Sequence, residues 1–331
     1  MIPDDFRKIS LLAWLENDLL LPVKSCEPAS SDASFRRYFR ITLPDQPLIV
    51  MDAPPDKENT AQFIKVAEFL RFSKVNVPRI YHQNLLDGFL VLEDFGSVSF
   101  LDKVNSDNAN ALYGNALDSL LTLQTHADLN NCALPRYDEA LLQRELGIFE
   151  DWFIKQALGL EIPTAIWDKV CNILINSALE QPVTCVHRDY HSRNLMVLKD
   201  DSIGIIDFQD AVIGPVTYDL ASLLRDCYID WPKDQVGLWL SQYYQKLKQA
   251  DIIACDLPQF TRWFDLMGMQ RHLKAIGIFS RLNLRDGKSG YLKDIPRTLN
   301  YVMAQAQVYP ELADFHDFLQ QHVLLTSSET Q

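Results

Sequence analysis

The stretch HRDYHSRNLMV, residues 187–197, follows a short apolar β-run, VTCV, and precedes another, IGIIDFQD. It puts Asp189 in a tight loop, Asn194 a turn later, and Asp207 on the next hairpin. Three oxygen-bearing side chains so spaced can converge on one point. Phosphoryl transfer asks for that set: a carboxylate to orient an attacking hydroxyl and accept its proton, and oxygen ligands for Mg2+ to hold the phosphates. H-R-D alone recurs by chance. H-x-D-x-x-x-x-N followed by I-D-F between β-runs is far more specific. His187 reads as a satisfied buried histidine rather than a proton carrier. His191 either reaches substrate or shapes the loop. Asp210 either assists metal or substrate or structures its own turn.

Upstream of this stretch, residues 5–20 pattern as an amphipathic helix with Phe6, Ile9, Leu12, Ala13, Leu15 and Leu19 on its apolar face. Residues 35–52 read as two strands around the turn PDQP, residues 58–73 as a helix stopped before Pro78, and RIYHQ and GFLVLED as two more strands. Helical spacing then dominates: 108–126, 138–157, 164–180, 217–227, 234–249, 258–283 and 296–325. The expected fold class is α+β: a small α/β N-lobe over residues 1–96 and a larger, mainly helical C-lobe over 97–331.

HRDYHSRN resembles the protein-kinase catalytic loop, and Asp207-Phe208-Gln209 its metal-binding D-F-G. The continuation IDFQDAVIGPVTYDLASLL is similar to the aminoglycoside and choline kinase-like phosphotransferases, and no A-P-E segment follows. That resemblance implies a bilobal protein-kinase-like fold with ATP and Mg2+ as cofactors. It implies Asp189 as catalytic base, Asn194 and Asp207 as metal ligands, and Asp219 as a brace for the loop. It places a nucleotide hinge at GFLVLEDFG, with Glu93 and Phe95 beside adenine, and a phosphate loop at residues 31–41, with Ser34 and Arg37 near the phosphates. One departure stands out. The strand that carries a phosphate-binding lysine in kinases reads LIVMDAPPDK, with Met51 and Asp52 at the lysine's place and Glu68 on the following helix. Lys57 or an arginine of 36–40 is the candidate substitute.

DASFRRYFR, LIVMDAPPDKE and QRHLKAIGIFSRLNLRDGKSGYLKDIPRTLNY together resemble the anomeric N-acetylmuramate/N-acetylglucosamine kinases of Gram-negative bacteria. The resemblance implies a small-molecule amino sugar as partner. His191, Asp210, Arg271 and Arg285 are the candidate substrate contacts. Trp231 is either a sugar platform or a core residue. Two other readings stay open: a phosphotransferase of this fold acting on an aminoglycoside or amino alcohol, and a nucleotide-binding pseudokinase, which the missing lysine motivates.

Composition bounds these readings. The chain has 331 residues, 47% hydrophobic, with net charge -13. That charge repels phosphate backbones and argues against nucleic acid as partner. The opening MIPDDFRKIS lacks an apolar signal core, and no window reaches the length of a membrane span, so the expectation is a soluble, cytoplasmic protein with no membrane partner. The six cysteines show neither C-x-x-C pairs nor metal-ligand spacing with histidines.

Overall fold

The structure, a computed structural model, describes residues 5–30 and 35–324. It opens with α1 (Phe6–Ala13), prolonged by a wider helical turn, Trp14–Asp18. An antiparallel five-stranded sheet follows, built from β1 (Ser25–Ser30), β2 (Arg37–Thr42), β3 (Pro47–Asp52), β4 (Ile80–Asn84) and β5 (Phe89–Glu93) in the order β1-β2-β3-β5-β4. Helix α2 (Thr60–Phe72) connects β3 to β4.

Strand alternation gives the sheet two faces. Phe39, Ile41, Leu48, Val50, Phe89 and Val91 pack on Leu11, Trp14 and Leu15 of the N-terminal helix. Met51, Leu90 and Leu92 face the other way, onto Phe63, Val66, Ala67 and Leu70 of α2 and the C-lobe beyond. The packing face of the N-terminal helix matches the expected one at Leu15, with Leu12 and Leu19 partly buried beside it, but departs from it at the start of the helix. Phe6 and Ile9 are exposed, while Leu11, Trp14 and Leu15 are buried. Arg7, one turn before Leu11, pairs with the buried carboxylate of Asp52 and sets the helix rotation. Strand β1 was not expected from its sequence. SCEPAS shows no apolar alternation, and Pro28 is tolerated because this is an edge strand.

The second lobe comprises α3 (Phe100–Lys103), α4 (Ala109–His126), α5 (Glu139–Ile148) with its wider continuation Phe149–Ala157, and α6 (Thr164–Leu179). Four short strands follow: β6 (Val183–Val186), β7 (Leu195–Val197), β8 (Ile203–Ile205) and β9 (Val212–Pro215). They pair antiparallel as β6–β9 and β7–β8, so the 187–194 loop is pinned at both ends. Then come α7 (Tyr218–Leu224), α8 (Lys233–Gln249), α9 (Leu257–Asp286), α10 (Ile295–Val308) and α11 (Ala313–Leu319). The helical region expected over 296–325 is interrupted at Tyr309–Pro310, where proline cannot continue the hydrogen-bond ladder.

Helix α9 is the axis of this lobe. It runs 30 residues, starts with the Asp256 side chain accepting from Gln259 N, and stops at Gly287 in the left-handed region, φ +66°. Gly277 lets it approach α5 closely: a β-carbon there would lie 2.6 Å from the Ile148 carbonyl and from Phe149 N. The lobes meet through a shared core, in which Phe208 packs on Phe63 with ring centroids 4.8 Å apart. The architecture is bilobal α+β. Among the described residues no helix is long and apolar enough to cross a membrane.

Candidate active site

The 187–194 loop is shaped from beneath by α7. Asp219, fully buried in the first turn of that helix, accepts the backbone N–H of His187 at 2.7 Å and of Arg188 at 3.0 Å. Those bonds hold Arg188 at φ +77°, a backbone conformation that costs a non-glycine residue roughly 1–3 kcal/mol. The ring of His187 is fixed as well. Nε2 faces the Ile206 carbonyl at 3.0 Å, and Nδ1 accepts from Asp189 N at 3.2 Å. A carbonyl only accepts, so Nε2 carries the proton and the ring is neutral. Burial lowers its pKa to about 4. His187 is thus a brace, as its sequence context implied.

Asp189, Asn194 and Asp207 converge. Asn194 Nδ2 donates to the Asp189 carbonyl at 3.1 Å and lies 3.3 Å from Asp207 Oδ2. Asp207, two residues past the end of β8, adopts φ +61°, and its carboxylate meets the loop at Asn194. Gln209 Nε2 donates to Asp207 Oδ1 at 2.9 Å, while Gln209 Oε1 is buried without a hydrogen-bond partner. A carboxylate, an amide whose nitrogen is already engaged, and an unpartnered amide oxygen form a hard oxygen donor set. It fits Mg2+, which takes few protein ligands and completes its octahedron with phosphate and water.

Electrostatics keep Asp189 ionised. Burial works to raise its pKa, but the charged neighbours, Lys274 first and Arg188 with it, outweigh that and hold the carboxyl below the usual carboxylate value. Lys274 is itself held by Glu145 Oε1 at 3.2 Å and by the Tyr218 hydroxyl at 3.2 Å. Glu145, buried on α5, also pairs with Arg188 and accepts from the Tyr137 hydroxyl. One carboxylate therefore ties the loop to α9.

These groups open onto a cleft of about 310 Å3, lined on one side by Asp189, His191, Asn194 and Asp207 and on the other by Arg271 and Lys274 of α9. Five of the expected site residues therefore share one cavity. Two do not. Arg285 pairs with Asp286 at the exposed end of α9. Asp210 points to solvent and offers only its backbone carbonyl, 3.5 Å from Arg188 Nη1. Trp231 takes its bland role: Nε1 donates to the Tyr113 hydroxyl at 2.9 Å, and the ring packs edge-on against Tyr113 and Trp239.

The N-lobe expectations divide similarly. Glu93 ends β5, its N–H donating to the Arg79 carbonyl at 2.8 Å. The ring of Phe95 lies against Gly204 of β8. Arg37, expected at the phosphates, shares the α1 face of β2 with Phe39 and pairs with Asp5 and Asp52. Strand alternation points it away from the cleft. Ser34 lies outside the described residues. Asp52 likewise faces α1, leaving Met51 on the cleft side of β3. Arg40 pairs with Asp94 at 2.6 Å, and Arg36 with Glu58 at 2.7 Å. Glu68 is exposed.

Arg193, Tyr228 and Glu145 escaped the sequence reading. The Arg193 guanidinium lies 3.6 Å over the Tyr228 ring in the cleft wall. Arg193 sits inside the motif and could have been singled out. Lys274 carried a signal too, three residues after Arg271 on one helix. Glu145 carried none.

The phosphotransferase enzyme family matches this sequence over residues 25–255. The chain belongs to that family. An N-acetylmuramate/N-acetylglucosamine kinase of Pseudomonas aeruginosa is 45% identical over 330 residues, covering 96% of this chain and 97% of the relative. One from Neisseria meningitidis is 39% identical, covering 95% of each. Among solved structures, a choline kinase from Streptococcus pneumoniae superposes with TM-score 0.60 at 14% identity, over 90% of this chain and 99% of that one. A choline/ethanolamine kinase family protein from Mesorhizobium loti gives TM-score 0.62 at 13% identity, over 94% and 99%. At such identities these neighbours establish the fold, which is the bilobal protein-kinase-like one. This phosphotransferase is a kinase, and kinases of its family use ATP.

Proposed function

We propose that this phosphotransferase moves the γ-phosphate of ATP onto the anomeric hydroxyl of N-acetylmuramate or N-acetylglucosamine. The observation that carries the reading is the convergence of Asp189, Asn194 and Asp207 on a cleft whose far wall is cationic. The names of its relatives supply the acceptor class.

ATP lies between the N-lobe, residues 1–96, and the C-lobe, residues 97–331, with the hinge near Glu93 and Phe95. Asn194 and Asp207 would hold Mg2+, which would supply charge neutralisation at the phosphates. Asp189 orients the sugar hydroxyl in line with the γ-phosphorus. The new bond joins the anomeric oxygen to phosphorus, the bridging bond to ADP breaks, and the hydroxyl proton passes to Asp189. The protein's contribution is positioning and electrostatics rather than covalent chemistry. Arg36, the residue before β2, pairs with Glu58 just before α2. That pair takes the role of the absent strand lysine and helix glutamate.

Cationic acceptors such as aminoglycosides or choline are disfavoured by Arg193, Arg271 and Lys274 in the cleft wall. Met51 at the lysine's place favours a second reading, nucleotide binding without turnover. An ADP-release assay with ATP and Mg2+ against N-acetylmuramate, N-acetylglucosamine, glucose, kanamycin and choline decides between them. Turnover of the N-acetyl sugars with phosphate on the anomeric carbon is expected. Turnover of kanamycin or choline alone, or of nothing despite nucleotide binding, would overturn the proposal.

A further inference from the structure

Arg271 is 6% exposed, near the middle of α9, and lines the cleft. It has no carboxylate within 4.0 Å among the described residues, unlike its cationic neighbours. Arg188 and Lys274 share Glu145, Arg225 has Asp265 at 2.6 Å, and Arg193 has Asp294 at 3.9 Å. The hydrogen bond Arg271 does make is from Nη1 to Cys227 Sγ, at 3.6 Å, and a thiol sulfur is a weak acceptor. Asp226 is nearby, but its two oxygens accept the backbone N–H groups of Ser192 at 2.8 Å and Tyr228 at 2.9 Å. A buried guanidinium without a counter-ion is costly, because it has lost hydration and gained no charge partner. The cost is offset when an anion enters the cleft.

The position of Arg271 says which anion. Lys274, not Arg271, is the cation that acts most strongly on Asp189. Arg271 lines the cleft with Tyr228 and Arg193, and its Nη1 is turned to Cys227 Sγ rather than to the Asp189 carboxylate. His191 joins this region, with its ring edge-on to Tyr228 and Nδ1 buried without a partner. The site therefore fits an acceptor that presents a hydroxyl to Asp189 and a carboxylate some atoms away. N-acetylmuramate has that form, with the carboxylate of its lactyl ether on the ring carbon two removed from the anomeric one.

We propose that Arg271, flanked by Arg193, is the specificity-determining residue that takes this carboxylate and sets a preference for N-acetylmuramate over N-acetylglucosamine. The proposal rests on the kinase reading above. It is tested by a cycle between residue and substrate. The wild type, Arg271→Gln and Arg271→Lys are assayed with N-acetylmuramate, with its lactyl carboxamide, and with N-acetylglucosamine. For the wild type, kcat/KM is expected to fall roughly 10- to 100-fold from carboxylate to carboxamide, the span of one charge-assisted hydrogen bond. In Arg271→Gln the N-acetylmuramate to N-acetylglucosamine ratio should fall by a similar factor, with no further loss on the carboxamide; Arg271→Lys should lie between. Equal wild-type turnover of carboxylate and carboxamide overturns the proposal without involving any variant, as does a loss in Arg271→Gln that is the same on all three sugars. Turnover of none of them by the wild type overturns the kinase reading as well.

Discussion

Nδ2 of Asn194 lies 3.3 Å from Oδ2 of Asp207, although 13 positions separate the two. The contact leaves the amide oxygen of Asn194 and the carboxylate of Asp207 as neighbouring hard donors. Asp207→Ala should abolish the Mg2+-dependent part of ATP binding, measured by calorimetry with and without the cation. Tight Mg2+-dependent binding in that variant would contradict the metal role.

Asp189→Asn should lower kcat by roughly 10²- to 10⁴-fold, the range of a general base, and leave ATP affinity nearly unchanged. The active form is the carboxylate, and surrounding cations hold its pKa below the usual range. The acid limb due to Asp189 therefore lies at unusually low pH. Lys274→Met removes the strongest of those cations, which raises the Asp189 pKa and moves the limb to higher pH. Protonation of ATP contributes equally to both profiles. Superimposable single-turnover pH profiles would refute this electrostatic account.

Asp219 accepts two backbone N–H groups with its two oxygens. In Asp219→Asn one N–H meets an NH2 group instead. A buried donor without an acceptor costs roughly 1–3 kcal/mol. The urea midpoint should fall accordingly, and kcat with it, since one of the two bonds that hold the His187–Arg188 backbone is lost. An unchanged midpoint would show that the loop does not depend on this brace.

Alanine in place of glycine inside a helix ordinarily stabilises by up to about 1 kcal/mol. Gly277→Ala should do the reverse. Its β-carbon would meet backbone atoms of Ile148 and Phe149 at 2.6 Å, forcing α9 off α5 at a cost of roughly 1–3 kcal/mol. The sign of the change in melting temperature is the readout, and a stabilised variant would disprove the close contact.

Arg36→Met tests the substitute for the strand lysine. Loss of a charge-assisted phosphate contact should raise KM for ATP roughly tenfold or more. An unaltered KM would mean that Arg36 serves only its ion pair with Glu58.

Sequence reading anticipated the geometry where it rests on local spacing. Asp189, Asn194 and Asp207 lie within one loop and one hairpin, and period-2 and period-3.6 patterns marked nearly every element that carries them. It failed where long-range packing chose between local options. Arg37 and Arg40 look alike in FRRYFR, yet alternation sends Arg37 to the α1 face with Asp52 and Arg40 to Asp94. Arg271 and Arg285 both sit on α9, yet one is buried in the cleft and the other is exposed beside Asp286.

The amino-acid sequence by itself determined the two-lobed α+β class and the meeting of Asp189, Asn194 and Asp207, because those depend on residues near one another in the chain. Only the tertiary structure decided which cations face the reacting centre. Glu145, Arg188 and Lys274 come from α5, the 187–194 loop and α9, and nothing in their spacing announces that they meet. Burial and charge pairing depend on what packs against a residue, and that is settled only when the helices have found each other.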